Sequence, residues 1–181
     1  MAVVVPDIPD LFEEAYQRAG LELRTGNDLR NARRSFNILT MEWQNRGLNL
    51  WTIEAGTQAL TAGTATYTLP ADTVDVIEHQ IRTGTGTSQT DTNLTRVSVS
   101  TYAKQSAKNS TGKPTQIFIQ RLSGSTTVTL WPVPDSADTY TLSYFRIAGI
   151  DGISSGIDGT TTSFIPPRFV PCLVSGLAYY I

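Results

Sequence analysis

Leu29, Ala32, Phe36, Leu39 and Trp43 follow one another at intervals of 3, 4, 3 and 4 residues. That spacing lines one face of an α-helix and no face of a strand. It predicts a helix over residues 28–46, which Asn27 or Asp28 can cap and Gly47 can end. Such a seam needs a second apolar surface to lie against. Leu11, Phe12, Ala15, Tyr16 and Ala19 supply one, on a helix predicted over 10–19, with Asp10 and Glu13 at capping spacing and Gly20 as its stop. The short connection between the two predicts an antiparallel hairpin. A third helix is predicted near the end of the chain, opened by Ile165-Pro166-Pro167, with Leu173, Leu177 and Tyr180 on one face.

After Gly47 the period changes. Residues 48–53 read as a strand or an extended entry. Residues 58–60 and 65–69 flank a tight turn at Ala62-Gly63, and 74–82, 94–99, 116–121, 128–131 and 139–147 read as strands. Residues 100–107 hold one turn of helix. Residues 83–93 and 149–163 read as polar, Gly-containing loops. The chain is poor in charge (17%) without being rich in apolar residues (40%), and 26 Thr and 14 Ser take up the difference. Thr favours strands and turns over helix interiors. The expected fold class is α+β: a helical hairpin plus a C-terminal helix form a small bundle, with an inserted antiparallel β barrel or sandwich. The expected domains are a helical part, 1–47 with 164–181, and a β part, 48–163.

The same composition narrows function. A net charge of −2 argues against a free-standing nucleic-acid binder. No apolar run approaches the roughly 18 residues of a membrane span, and the start, MAVVVPDIPD, does not read as a secretory signal. One Cys and one His leave little for a metal site or a nucleophile–base pair. His79 alternates with Ile77 and Ile81 on a predicted strand face and reads as a core residue. Cys172 reads as a small core residue of the last helix. Asp72, Asp75 and Glu78 would share a face only on a helix, so on a turn and strand they scatter. Gly84 and Gly86 lack the Lys and the strand–loop–helix order of a phosphate loop. No catalytic residue, cofactor site or metal site is therefore expected, and the chain does not read as an enzyme.

Two groups read instead as candidate interface. Arg30, Arg33 and Arg34 fall away from the helix seam and can meet a partner's carboxylates or phosphates, although an ordinary solvated face gives the same pattern. Leu48, Leu50 and Trp51 crowd large apolar groups just after Trp43, as core packing or as a protein contact. A different reading is a carbohydrate-binding β module, with Trp51, Tyr67, Trp131 and Tyr144 stacking on sugars.

The order of segments carries a resemblance. Ala19-Gly20 closes the first helix. Met41-Glu42-Trp43-Gln44-Asn45-Arg46-Gly47 ends the second, and Leu48-Asn49-Leu50-Trp51 follows. Tyr67-Thr68-Leu69-Pro70-Ala71-Asp72 precedes Val76-Ile77. Gly112-Lys113-Pro114-Thr115 leads to a strand, Leu130-Trp131-Pro132-Val133-Pro134 to Tyr140-Thr141-Leu142-Ser143-Tyr144, and Ile165-Pro166 to the final helix. Over nearly its whole length the chain resembles the head-to-tail adaptors of short-tailed bacteriophages, the family of tubular tail protein A and the packaged-DNA stabilisation proteins. The resemblance implies a non-enzymatic virion protein of the neck or tail, present in the host cytoplasm during assembly. It implies a ring of twelve copies, helices towards the channel and β domain outward. It also implies partners: the portal protein, the tail nozzle protein, tail fibres, and double-stranded DNA that passes without sequence-specific binding. Such adaptors run on into a longer helix and a tail. A helix ending on Tyr179-Tyr180-Ile181 without a polar cap gives the same expectation, that the natural chain continues.

Overall fold

A computed structural model describes residues 7–150 and 165–181. The chain divides into two units, one of residues 1–51 with 150–181 and one of residues 52–149. Most of the polar segment expected over 149–163 lies outside the described residues.

The first unit is helical. It holds α1 (Ile8–Arg18) and α2 (Gly26–Asn45) from the first half of the chain. α1 starts earlier than its stripe predicts. Asp7 is its N-cap residue and Pro9 sits in the first turn, so Asp10 is a first-turn acid and not a cap. α2 is capped by Thr25, whose side chain accepts from the Asp28 N–H while Asp28 accepts from the Thr25 N–H at 2.9 Å. Asp28 is therefore the reciprocal member of a capping box. Both helices end on a glycine with positive φ, Gly20 at 75° and Gly47 at 78°. Leu21 and Leu48 then donate back to the Tyr16 and Trp43 carbonyls, which closes each end as a Schellman turn.

The seam meets its partners as expected. Ala32, Phe36 and Leu39 are buried with Ile8, Leu11, Phe12, Ala15 and Tyr16, and Leu29 and Trp43 pack at the margin. The last helix (Val170–Tyr180, after a 3-10 turn at Pro167–Phe169) adds Leu173, Val174 and Leu177 to the same core. Each large side chain so buried contributes about 1.5–3 kcal/mol. Cys172 corrects the sequence reading. It is exposed, because Leu173, Val174 and Leu177 take the inward arc and leave the preceding position outside.

The second unit carries ten strands: β1 (Ile53–Ala59), β2 (Thr66–Thr68), β3 (Thr73–Thr83), β4 (Thr90–Asn93), β5 (Thr95–Val97), β6 (Thr111–Gly112), β7 (Gln116–Arg121), β8 (Thr126–Trp131), β9 (Val133–Pro134) and β10 (Tyr140–Ala148). A short helix, α3 (Val99–Ala103), lies between β5 and β6, and the last helix of the chain is α4. The strands form two four-stranded sheets, ordered β1-β10-β3-β4 and β2-β8-β7-β5, and a small pair β6-β9. Neither large sheet closes on itself, so the barrel alternative is corrected. Both contribute to one core, with Val76, Ile81 and Leu142 from the first and Ile117, Val128 and Leu130 from the second. The unit is not wholly antiparallel: β5 runs parallel to β7, and β6 to β9.

The expected turn at Ala62-Gly63 is present, with Gly63 at a φ of 80° and the Thr64 N–H on the Thr61 carbonyl, and it links strands of different sheets. Two local expectations change. Residues 83–93 are not all loop. Residues 90–93 pair with β3, held by a two-pronged Arg82–Asp91 ion pair at 2.8 Å. At Ile77 the ladder slips, passing from Phe145↔Glu78 to Arg146↔Val76. The bulge turns Val76, not Ile77, to the core, and Ile77 is exposed. His79 keeps its inward side, opposite buried Tyr144.

β1 opens the insert and β10 closes it, side by side, and the Ala148 N–H donates to the Thr52 carbonyl at 2.7 Å.

Candidate functional site

α2 shows two faces. Its buried side is the seam. On the far side stand Arg30, Arg34, Ile38 and Met41, which fall within roughly a quarter of the circumference at about 100° per residue. All four are exposed, Ile38 at 44% and Met41 at 59%. Arg33 lies half-buried on the flank. Arg30 donates to the Asn27 side chain. None of the three arginines has a carboxylate partner among the described residues, whereas other arginines of this unit do: Arg18 with Glu14, Arg24 with Glu22 and Arg46 with Glu42.

A groove of about 490 Å3 runs beside this face, lined by Tyr16, Leu21, Arg34, Ile38, Tyr180 and Ile181 among others. On the other side of Tyr180 a second groove, of about 380 Å3, is lined by Leu39, Trp43, Gly176 and Tyr179. Tyr180 is held between them. Its hydroxyl donates to the Glu42 carboxylate, and its carbonyl accepts from Ser35. That hydrogen bond from Tyr180 holds Glu42 below the usual carboxylate range, and the Glu42 carboxylate in turn pushes the Tyr180 hydroxyl above its ordinary value.

The second candidate cluster separates. Leu50 is 66% exposed. Leu48 is half-buried at the close of α2. Trp51 packs its ring on Phe169 at 4.6 Å and borders the helical core. Ile38 and Met41 were not among the expected residues. The signal for them was available, since both stand off the seam.

The remaining reactive groups are tied into structure. Asp75 pairs with Arg96 and Arg121, at 3.0 and 3.4 Å. Arg146 bridges Asp72 and Glu54, at 2.6 and 2.7 Å, and the Arg146 hydrogen bond holds Asp72 below the usual range. The three carboxylates at 72, 75 and 78 thus do not converge, and the described residues contain no group of three or more potential metal ligands. His79 carries a buried Nδ1 with no hydrogen-bond partner. Of the aromatics proposed to stack on sugars, Tyr144 is buried, Tyr67 hydrogen-bonds Thr61, and the Trp131 indole donates to the Ala107 carbonyl at 2.9 Å. No helix among the described residues is long and apolar enough to cross a membrane.

The family model described as SU10 adaptor protein matches residues 5–181. The chain belongs to the SU10 adaptor protein family. This match bears out the resemblance to phage head-to-tail adaptors. The SU10 adaptor assignment makes the chain a structural phage protein. No curated protein matches the chain at a significant level.

Proposed function

We propose that this adaptor forms a ring between the portal and the tail and joins the two. The number of copies is taken as twelve, as the family resemblance implies. The helical unit faces the channel and the β unit, two sheets packed as a sandwich, faces outward. Double-stranded DNA passes through the ring without sequence-specific contact, in keeping with a net charge of −2. The partners are further copies, the portal protein, the tail nozzle protein and tail fibres, in the neck of the virion and in the host cytoplasm during assembly. Arg30, Arg33, Arg34, Leu48 and Leu50 belong to the contact surface, with Trp51 supporting it from behind.

The observation that carries this reading is the outer face of α2, where two large apolar side chains are exposed beside arginines that have no carboxylate partner among the described residues. Exposed apolar groups grouped in this way mark interaction sites. Weak contacts repeated round a ring become persistent through avidity. Light scattering of the protein with and without portal, together with negative-stain images of the mixture, tests the reading. Rings seated on portal are the expected result. A monomer that leaves portal bare would overturn it.

A further inference from the structure

We propose that the outer face of α2 is covered by the acidic outer face of α1 from a second copy, so that neighbouring copies dock head to tail. This rests on the ring reading and adds to it the two surfaces that meet.

Arg30 and Arg34, with Arg33 on the flank, place positive charge on the N-terminal half of α2, and Ile38 and Met41 extend the face with apolar surface. On α1 the opposite charge is presented. Asp10, Glu13 and Glu14 are all exposed on the side away from Leu11, Phe12 and Ala15. Glu14 is held by Arg18 at 2.8 Å and Glu13 accepts from Gln17. Asp10 and Glu13 have no ion-pair partner among the described residues. One helix thus offers unpaired cations and the other unpaired carboxylates, each directed away from the shared core.

A symmetric contact between two α2 faces brings Arg30 and Arg34 of both copies together with no carboxylate on the face to answer them. The mixed contact sets the unpaired arginines of α2 against the unpaired carboxylates of α1. A contact between two different surfaces of one chain is heterologous, and it propagates into a closed ring when the rotation allows. The charges set register and encounter, and the apolar pair excludes water at the centre. Nucleic acid is the poorer occupant of the same face, because phosphates drawn to Arg30 and Arg34 would be carried across Ile38 and Met41.

Charge exchange in the full-length chain tests this. One variant carries Arg30→Glu and Arg34→Glu, and the other carries Asp10→Arg and Glu13→Arg. Association is followed by sedimentation velocity, alone and with portal, with circular dichroism checking that each variant is folded. Each variant alone should associate at least tenfold more weakly than the parent. An equimolar mixture should recover the parent's association, because acidic α2 then meets basic α1 and the reverse pair also holds. Ile38→Asp with Met41→Asp should weaken association without rescue by either partner. If the Arg30→Glu, Arg34→Glu variant assembles like the parent, the assigned face is wrong while the ring reading stands. If the parent itself never assembles, with or without portal, both fail. Loss that mixing does not repair, together with lost retardation of a short DNA duplex, would assign the face to nucleic acid and overturn the proposal.

Discussion

Tyr144 lays its ring over Gly56, its partner across the β1–β10 ladder: a Cβ on Gly56 would stand 2.5 Å from Tyr144 Cζ. β1 is a sheet edge, and the ring covers backbone that a glycine leaves bare. Gly56→Ala should force the buried Tyr144 out of place and destabilise the β unit by about 1–3 kcal/mol. Urea unfolding measures this. Adding Tyr144→Ala should make Gly56→Ala nearly harmless, because the clash has gone.

Gly176 on α4 approaches Leu39 in a comparable way: a methyl group on Gly176 would stand 3.0 Å from Leu39 Cδ2. Alanine is worth about 1 kcal/mol more than glycine in a helix interior. Crowding of buried Leu39 opposes that gain, so Gly176→Ala should shift stability by less than about 1 kcal/mol. In a Leu39→Ala background the crowding is removed. There Gly176→Ala should stabilise, and a double-mutant cycle read by thermal unfolding gives the coupling.

Acid should weaken the β unit through Asp72. The Arg146 hydrogen bond lowers the folded-state pKa of Asp72, so its contribution is complete above the unfolded value of about 3.9. It is lost as pH falls through the lower folded value. Asp72→Asn should therefore be less stable than the parent at neutral pH, and the difference should shrink in strong acid. Unfolding curves collected from neutral pH down to about pH 2 check the sign.

Leu50 and Trp51 are neighbours with different duties. Leu50 is 66% exposed and Trp51 rests on Phe169. Leu50→Asp should leave the melting temperature nearly unchanged, a surface effect within about 0.5 kcal/mol, yet weaken association in light scattering. Trp51→Ala should lower the melting temperature through lost packing. The reverse pattern would remove Leu50 from the contact surface.

The helices were the most legible part of the chain, because one residue type at one spacing decides a face. Ala32, Phe36 and Leu39 are buried where the seam put them. The caps were less legible. Thr25 and Asp28 act as a reciprocal pair, and a sequence offers several polar residues at nearly the right place. In the β unit, strands with an apolar face were readable, and residues 116–121 have the predicted bounds. Residues 90–93 were hidden because all four side chains are exposed and the ladder is backbone with one ion pair. The bulge at Ile77 was hidden too, since alternation alone cannot show where a ladder slips. At the candidate site the arginines were visible as a break in the seam, while Ile38 and Met41 passed as ordinary members of an apolar helix.

The hydrogen bond from Ala148 to Thr52 ties together the two ends of the β unit. A unit whose two ends are tied side by side can lengthen or shed strands between them without changing the distance that its ends span. Sequence change inside this loop of chain is therefore free of the seam of Ala32, Phe36 and Leu39, which is built entirely from residues of the other unit.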